Sequence, residues 1–222
     1  MTSLIQAAKP QPRVARSYLF VPGDRPDRFD KALAAGADAV IVDLEDAVPP
    51  ARKSDARAAI TNWLSPEKAI ILRINADTTE WFREDLHLAR APGVAGILLP
   101  KAERVDRALQ AICTETGKFL LPQIETALGF ANARALASAP GVQRLLFGTL
   151  DFQMDLGIDG DGEELAYYRS AMVLISRLAE IQPPVDGPCT AHGGSSRHSQ
   201  SRRDCPRGGK ARNISREIPN KP

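Results

Sequence analysis

Between residues 17 and 182 the chain repeats one pattern: a short apolar run, a turn, then an amphipathic helix. The runs are Tyr18–Val21, Ala39–Val42, Ile70–Ile74, Gly96–Leu99, Leu120–Ile124 and Leu145–Phe147. They start roughly 20 to 30 residues apart, the length of one βα unit. The runs are mostly apolar rather than alternating, which suits parallel strands covered on both faces. The helices between them have readable ends. Pro26 stands where a first helical turn tolerates proline, and Gly36 follows Phe29–Leu33 as a C-cap. Pro49-Pro50 precede a helix whose inner face is Ala56, Ala59, Ile60, Trp63 and Leu64. A helix through Val105, Leu109 and Ile112 stops at Gly117, and one from Leu128 to Ala137 is closed by Pro140-Gly141. The longest runs from about Glu163 to Ile181 and ends before Pro183-Pro184.

Repeated βα units build either a (β/α)8 barrel or a doubly wound sheet. The first strand is followed by Pro22-Gly23-Asp24-Arg25-Pro26 and not by G-x-G-x-x-G, which disfavours a nucleotide-binding doubly wound fold. The expectation is an α/β fold of TIM (β/α)8 type, incomplete at its C-terminus, with about six βα units. Three segments follow: a flexible N-terminus over 1–16, a partial barrel carrying the catalytic domain over 17–186, and a basic tail over 187–222.

The tail changes composition abruptly. It holds eight Lys/Arg against two Asp/Glu, six apolar residues and no aromatic one, while the rest carries 21 basic and 25 acidic residues. Such a segment reads as disordered or as the product of a frame change near residue 187. Its deletion is expected to leave the main function intact. A barrel of six units alone would leave strand edges and core open. Cys189, His192, His198 and Cys205 match no standard zinc spacing. Without interleaved aromatics the tail is not expected to be a nucleic-acid stacking surface. An odd, sparse set of three cysteines argues against a disulfide framework, and Cys113 reads as core. No run approaches the ~20 apolar residues that cross a membrane, and the first residues lack a secretory stretch. A cytoplasmic protein without a membrane partner is expected.

Function in a barrel gathers at the C-terminal ends of the strands. The polar residues there are Arg25, then Asp43, Glu45 and Asp46, then Arg73 and Asn75, then Lys101, Glu125 and Asp151. Glu125 and Asp151, on neighbouring strands, offer hard oxygen ligands for Mg2+, with waters and a chelating substrate completing the shell. Arg73 offers a planar fork for a carboxylate. A metal beside it suits a 2-oxo or 3-hydroxy acid and the oxyanion formed on C–C cleavage. Asp43, Glu45 and Asp46 suit proton transfer or the ordering of waters. Plainer roles compete. Glu125 could cap the helix starting near Thr126, the three acids could partner Arg52, Lys53 and Arg57, and Arg73 could be a structural ion-pair residue. His87 lies on a helical pattern and reads as a surface residue.

These residues carry a family likeness. Arg16-Ser17-Tyr18-Leu19-Phe20-Val21-Pro22-Gly23 resembles the opening strand of citrate lyase beta-subunit-like proteins of the HpcH/HpaI aldolase superfamily. Gly36 to Ala47 (Gly-Ala-Asp-Ala-Val-Ile-Val-Asp-Leu-Glu-Asp-Ala), Arg73-Ile74-Asn75, Leu98-Leu99-Pro100-Lys101, Ile124-Glu125-Thr126 and Phe147-Gly148-Thr149-Leu150-Asp151 continue it in order, over about residues 16–187. The resemblance implies a homo-oligomeric TIM barrel, trimer or hexamer. It implies Mg2+-dependent (alternatively Mn2+-dependent) cleavage or formation of a C–C bond in 3-hydroxyacyl-CoA thioesters of the citryl-, citramalyl- or malyl-CoA type. By the same resemblance Glu125 and Asp151 fall on the metal ligands, and Arg73 on the substrate-binding arginine, with Glu125 also against the substrate. Arg73, Glu125, Asp43 and Glu45 make the expected catalytic set, and Arg25 and Lys31 fall near the CoA phosphates. An aldolase acting on free 2-oxo acids, an acyl-CoA thioesterase with the same metal site, and a non-catalytic binding or inactive truncated protein stay open. Beyond Gly187 the family continues into two more βα units and a lid that brings an acidic residue to a neighbouring subunit's site; neither is legible here.

Overall fold

All six apolar runs are strands. The computed structural model describes residues 14–160 and 162–188, and the backbone alone of 210–213. In chain order the elements are β1 (Ser17–Pro22), α1 (Phe29–Leu33), β2 (Ala39–Asp43), α2 (Lys53–Trp63), β3 (Ile70–Arg73), α3 (Phe82–Ala89), β4 (Val94–Leu99) and α4 (Arg107–Thr116). They continue with β5 (Phe119–Ile124), α5 (Ala127–Ala131), α6 (Ala133–Ala137), β6 (Leu146–Phe147), α7 (Thr149–Leu156), α8 (Ala166–Leu178), β7 (Val185–Pro188) and β8 (Lys210–Asn213).

Strands β1 to β7 lie side by side and parallel, curling into an incomplete (β/α) barrel. The expected bare edges are not found. β8 lies antiparallel between β7 and β1, pairing Val185 with Asn213 and Ser17 with Arg212, and so closes the ring. The seventh strand escapes a reading by apolar runs because Val185 is its only large apolar residue. Residues 1–13 and most of the tail, with Cys189, His192, His198 and Cys205, lie outside the described residues.

Strand periodicity sorts the side chains into two cores. Tyr18, Ile41, Ile71, Leu98, Leu121, Leu146 and Val185 fill the ring's interior. Their neighbours, such as Val42, Leu72, Ile97, Leu120 and Phe147, pack outward under the helices with Phe29, Ile60, Phe82, Ile112 and Phe152. Two residues beyond the interior set, on the same face, stand Asp43, Arg73 and Gln123. At the other end Arg144, fully buried, donates to Pro183 O (2.7 Å), Ala15 O (2.8 Å) and the Tyr18 hydroxyl (3.0 Å). It ties the approach to β7 to the start of β1 beneath the ring.

Helix ends follow local chemistry. The Asp106 carboxylate accepts from Ala108 N (2.8 Å) and Leu109 N (3.2 Å) and starts α4. The stretch expected as one helix from Leu128 to Ala137 is instead α5 and α6, separated at Asn132 (φ −93°, ψ 1°). The Asn132 side chain donates to Glu103 O at 3.0 Å, a polar anchor of the type that competes with helix continuity. Cys113 is buried and His87 exposed, as expected. Among the described residues no helix is long and apolar enough to cross a membrane.

Deleting residues 189–222 removes β8 and unpairs one edge each of β1 and β7. The expected outcome is self-association on size-exclusion chromatography and an unfolding midpoint lower by roughly 5 °C, the shift produced by about 2 kcal/mol in a chain of this size. A deletion variant as stable and monodisperse as the full chain would mean that β8 adds nothing to the ring.

Candidate active site

The parallel register sets Asp43 directly beside Arg73 at the mouth of the ring. Arg73 Nε donates to Asp43 Oδ1 (2.7 Å) and Nη2 to Oδ2 (2.5 Å), a two-pronged pair with both side chains nearly withdrawn from solvent. Asp43 also accepts the backbone N–H groups of Glu45 (2.8 Å) and Ala47 (3.2 Å), so the β2 loop folds around it. Glu45 Oε2 lies 3.0 Å from Arg73 Nη1 as an ion pair, but without the alignment of a hydrogen bond. Burial alone would lower the Arg73 guanidinium; the bonds to Asp43 and the charges of Asp43, Glu45 and Asp46 outweigh it and hold the cation well above its usual range. Arg73 keeps N–H donors that these partners do not use.

Across the mouth, Lys101 ends the β4 segment with a left-handed backbone (φ 46°). Its N–H donates to Glu125 Oε1 at 2.6 Å. Its ammonium bonds Glu45 Oε1 and lies 3.6 Å from Asp46 Oδ1 and 3.7 Å from Asp151 Oδ2. Gln123 Nε2 donates to Glu125 Oε2. Asp151 sits in the first turn of α7, where the helix dipole favours an anion. A Cβ added to Gly148 would come 2.3 Å from Glu125 Oε2, so glycine is required for the chain to pass this carboxylate. Burial, and to a lesser degree the charges of Glu45 and Asp151, push the Glu125 carboxyl up to about 7 against the Lys101 N–H. Burial also raises Glu45, with Arg73 opposing.

Asp43, Glu45, Arg73, Lys101, Glu125 and Asp151 therefore meet at one mouth. The competing partners behave differently. Arg52 pairs with Asp55, and Arg57 with Glu84 and Asp85. Glu125 does not cap the following helix; Thr126 does, accepting from Gly129 N. Lys53 spends its three donors on Leu44 O (2.6 Å), Glu45 O (2.8 Å) and Asn75 Oδ1 (2.7 Å), while Asn75 binds Asp85. This buried chain holds the β2 loop from beneath, which charge pairing alone did not suggest. Gln123 was also missed. Its signal was strand periodicity, since Leu121, Gln123 and Glu125 alternate onto one face. Arg25, Arg28 and Lys31 line a cleft of about 490 Å³ against β1 and α1, which they share with Phe20, whose ring lies 5.2 Å from the Arg73 guanidinium. Arg25 is bound there by Asp27 through two 3.1 Å bonds.

The donor chemistry suits a hard divalent cation. The charge of Asp151 adds to the cost of ionising Glu125, and both side chains are oxygen donors. No cluster of three or more His, Cys, Asp or Glu able to hold a metal occurs among the described residues. Two carboxylates would leave the remaining positions to water and substrate, a common arrangement for Mg2+.

The sequence model of the HpcH/HpaI aldolase/citrate lyase family matches residues 16–184. A citrate lyase subunit beta-like protein of Deinococcus radiodurans is 34% identical over 184 residues, which cover 77% of this chain and 64% of that protein. A (3S)-malyl-CoA thioesterase of Cereibacter sphaeroides is 35% identical over 179 residues, 78% of this chain and 62% of that one. The chain thus spans less than two thirds of the length of these relatives. Protein CitE of Mycobacterium tuberculosis, solved with magnesium, acetoacetate and coenzyme A, superposes with a TM-score of 0.66 at 32% identity, covering 79% of this chain and 66% of that one.

A carboxyl whose folded-state pKa lies above its usual 4.5, as Glu125's does at about 7, binds protons more tightly folded than unfolded. Its contribution to stability is therefore lost as pH rises from about 4.5 to 7. Over that window the metal-free protein is expected to lose roughly 3 kcal/mol that Glu125→Gln does not lose. Denaturant melts at several pH values check this, and identical slopes in the two proteins would contradict it.

Proposed function

The chain belongs to the HpcH/HpaI aldolase/citrate lyase family, and from that we propose that it is a Mg2+-dependent carbon–carbon lyase acting on a 3-hydroxyacyl-CoA. The observation that carries this reading is the convergence of Glu125 and Asp151 with a clamped Arg73 at one mouth. Glu125 and Asp151 would hold the metal. Magnesium, when bound, supplies the positive charge that stabilises an oxyanion developing on the substrate. Arg73, its plane fixed by Asp43, presents its remaining N–H groups to a substrate carboxylate. Glu45 and Asp46 lie within reach of the same guanidinium and are the candidates for moving a proton. The buried Lys53–Asn75–Asp85 chain keeps their loop in place. Lys31 and Arg28, with Arg25 once Asp27 is displaced, suit CoA phosphates. The CitE structure with magnesium and coenzyme A and the malyl-CoA relative support a CoA thioester as the substrate class. A homo-oligomer is proposed on the family likeness.

The thioesterase relative favours a second reading, in which the same mouth directs water to the thioester carbonyl. Products separate the two: a lyase releases an acyl-CoA and an oxo acid, whereas a thioesterase releases free CoA and the intact hydroxy acid.

Glu125→Ala and Asp151→Ala are each expected to abolish Mg2+ binding by calorimetry. Arg73→Lys is expected to keep Mg2+ affinity but lower kcat/KM at least about a hundredfold, because the planar fork is lost. Unchanged Mg2+ affinity in both carboxylate variants would sink the assignment.

A further inference from the structure

We propose that Lys101 is a resident cation of the mouth: its ammonium holds the carboxylates together before a metal arrives and weakens the affinity with which Glu125 and Asp151 then take the ion. This rests on the metal reading above. Five carboxyls, those of Asp43, Glu45, Asp46, Glu125 and Asp151, surround two cations at the mouth, Arg73 and Lys101. Arg73 is committed to Asp43 and Glu45 on the β2 side. Among the described residues Lys101 alone spans the mouth, from Glu45 and Asp46 after β2 to Asp151 on α7. Its amide, held by the left-handed backbone at φ 46°, fixes one oxygen of Glu125. A non-glycine residue keeps such a conformation only where its surroundings enforce it. One residue thus touches both proposed metal ligands, one through its backbone and one through its charge.

The Lys101 side chain is not locked in the core, since 40% of it is exposed. A divalent ion entering beside Asp151 meets a like charge already 3.7 Å from Oδ2. The flexible stem lets the ammonium keep its bond to Glu45 while it moves away from Asp151 as the ion binds. The cost is mutual repulsion at short range, which lowers metal affinity.

Calorimetric titration of the full chain with Mg2+, without substrate, tests this. Lys101→Met keeps the backbone N–H to Glu125 and removes only the charge. Its Mg2+ dissociation constant is expected to fall on the order of tenfold, as for a like charge removed from within ~6 Å. Its metal-free unfolding midpoint is expected to fall at the same time. Lys101→Gln is expected to follow Lys101→Met, and Lys101→Arg to stay near wild type. A side chain that merely shaped the site would give the opposite sign, weaker binding on removal. Wild-type binding that folded Lys101→Met and Lys101→Gln leave unchanged or weaken overturns the lysine proposal alone. A wild-type chain that binds no Mg2+ overturns it together with the metal reading.

Discussion

The buried pair of Arg73 and Asp43 is the constraint on which the mouth depends. Two opposite charges withdrawn from water recover their desolvation cost only through close geometry and further hydrogen bonds. Asp43 meets that demand with two bonds to Arg73 and two to the backbone of its own loop. Breaking one partner would strand a buried charge, at a cost of about 3–5 kcal/mol. The pair also fixes strand register. Asp43 and Arg73 are direct neighbours across β2 and β3, and a slip of either strand by one residue would turn its member of the pair from the ring's interior to its outside.

From that pair the rest of the site follows as a chain of contacts. The loop wrapped around Asp43 delivers Glu45 to Arg73 and Lys101, and Lys53 supports that loop by binding its carbonyls. Lys101 carries the linkage across the mouth to Asp151 and, through its amide, to Glu125. Gly148 leaves the room that Glu125 occupies. The polar mouth stands on an apolar floor of Tyr18, Ile41, Ile71, Leu98, Leu121, Leu146 and Val185, which limits water from below and strengthens every charge interaction above it.

Much of this was legible in the sequence, because strand-end chemistry follows from periodicity once parallel strands are assigned. Asp43, Glu125 and Asp151 each follow an apolar run, Arg73 stands near the end of one, and all four reach the mouth. Where sequence reasoning failed, the cause was a contact between distant residues. Lys53 looked like a partner for acidic side chains; in three dimensions carbonyl oxygens surround it. Asn132 divides a continuous apolar stretch through a bond to Glu103 O. β7 and β8 lack the apolar signature of the other strands, so nothing local announced that backbone pairing closes the ring. Lys101 stood correctly at a strand end, but its bridging position depends on a positive φ that no pattern predicts.

In the proposed function Glu125 and Asp151 form one divalent-metal site beside Arg73. Crystals of the full chain soaked in Mn2+ and measured for anomalous scattering test it directly. The expected result is a peak within coordinating distance of carboxylate oxygens of both Glu125 and Asp151, with Arg73 still clamped by Asp43. A fully occupied peak elsewhere, or none in crystals that hold Mn2+ at saturation, would contradict it.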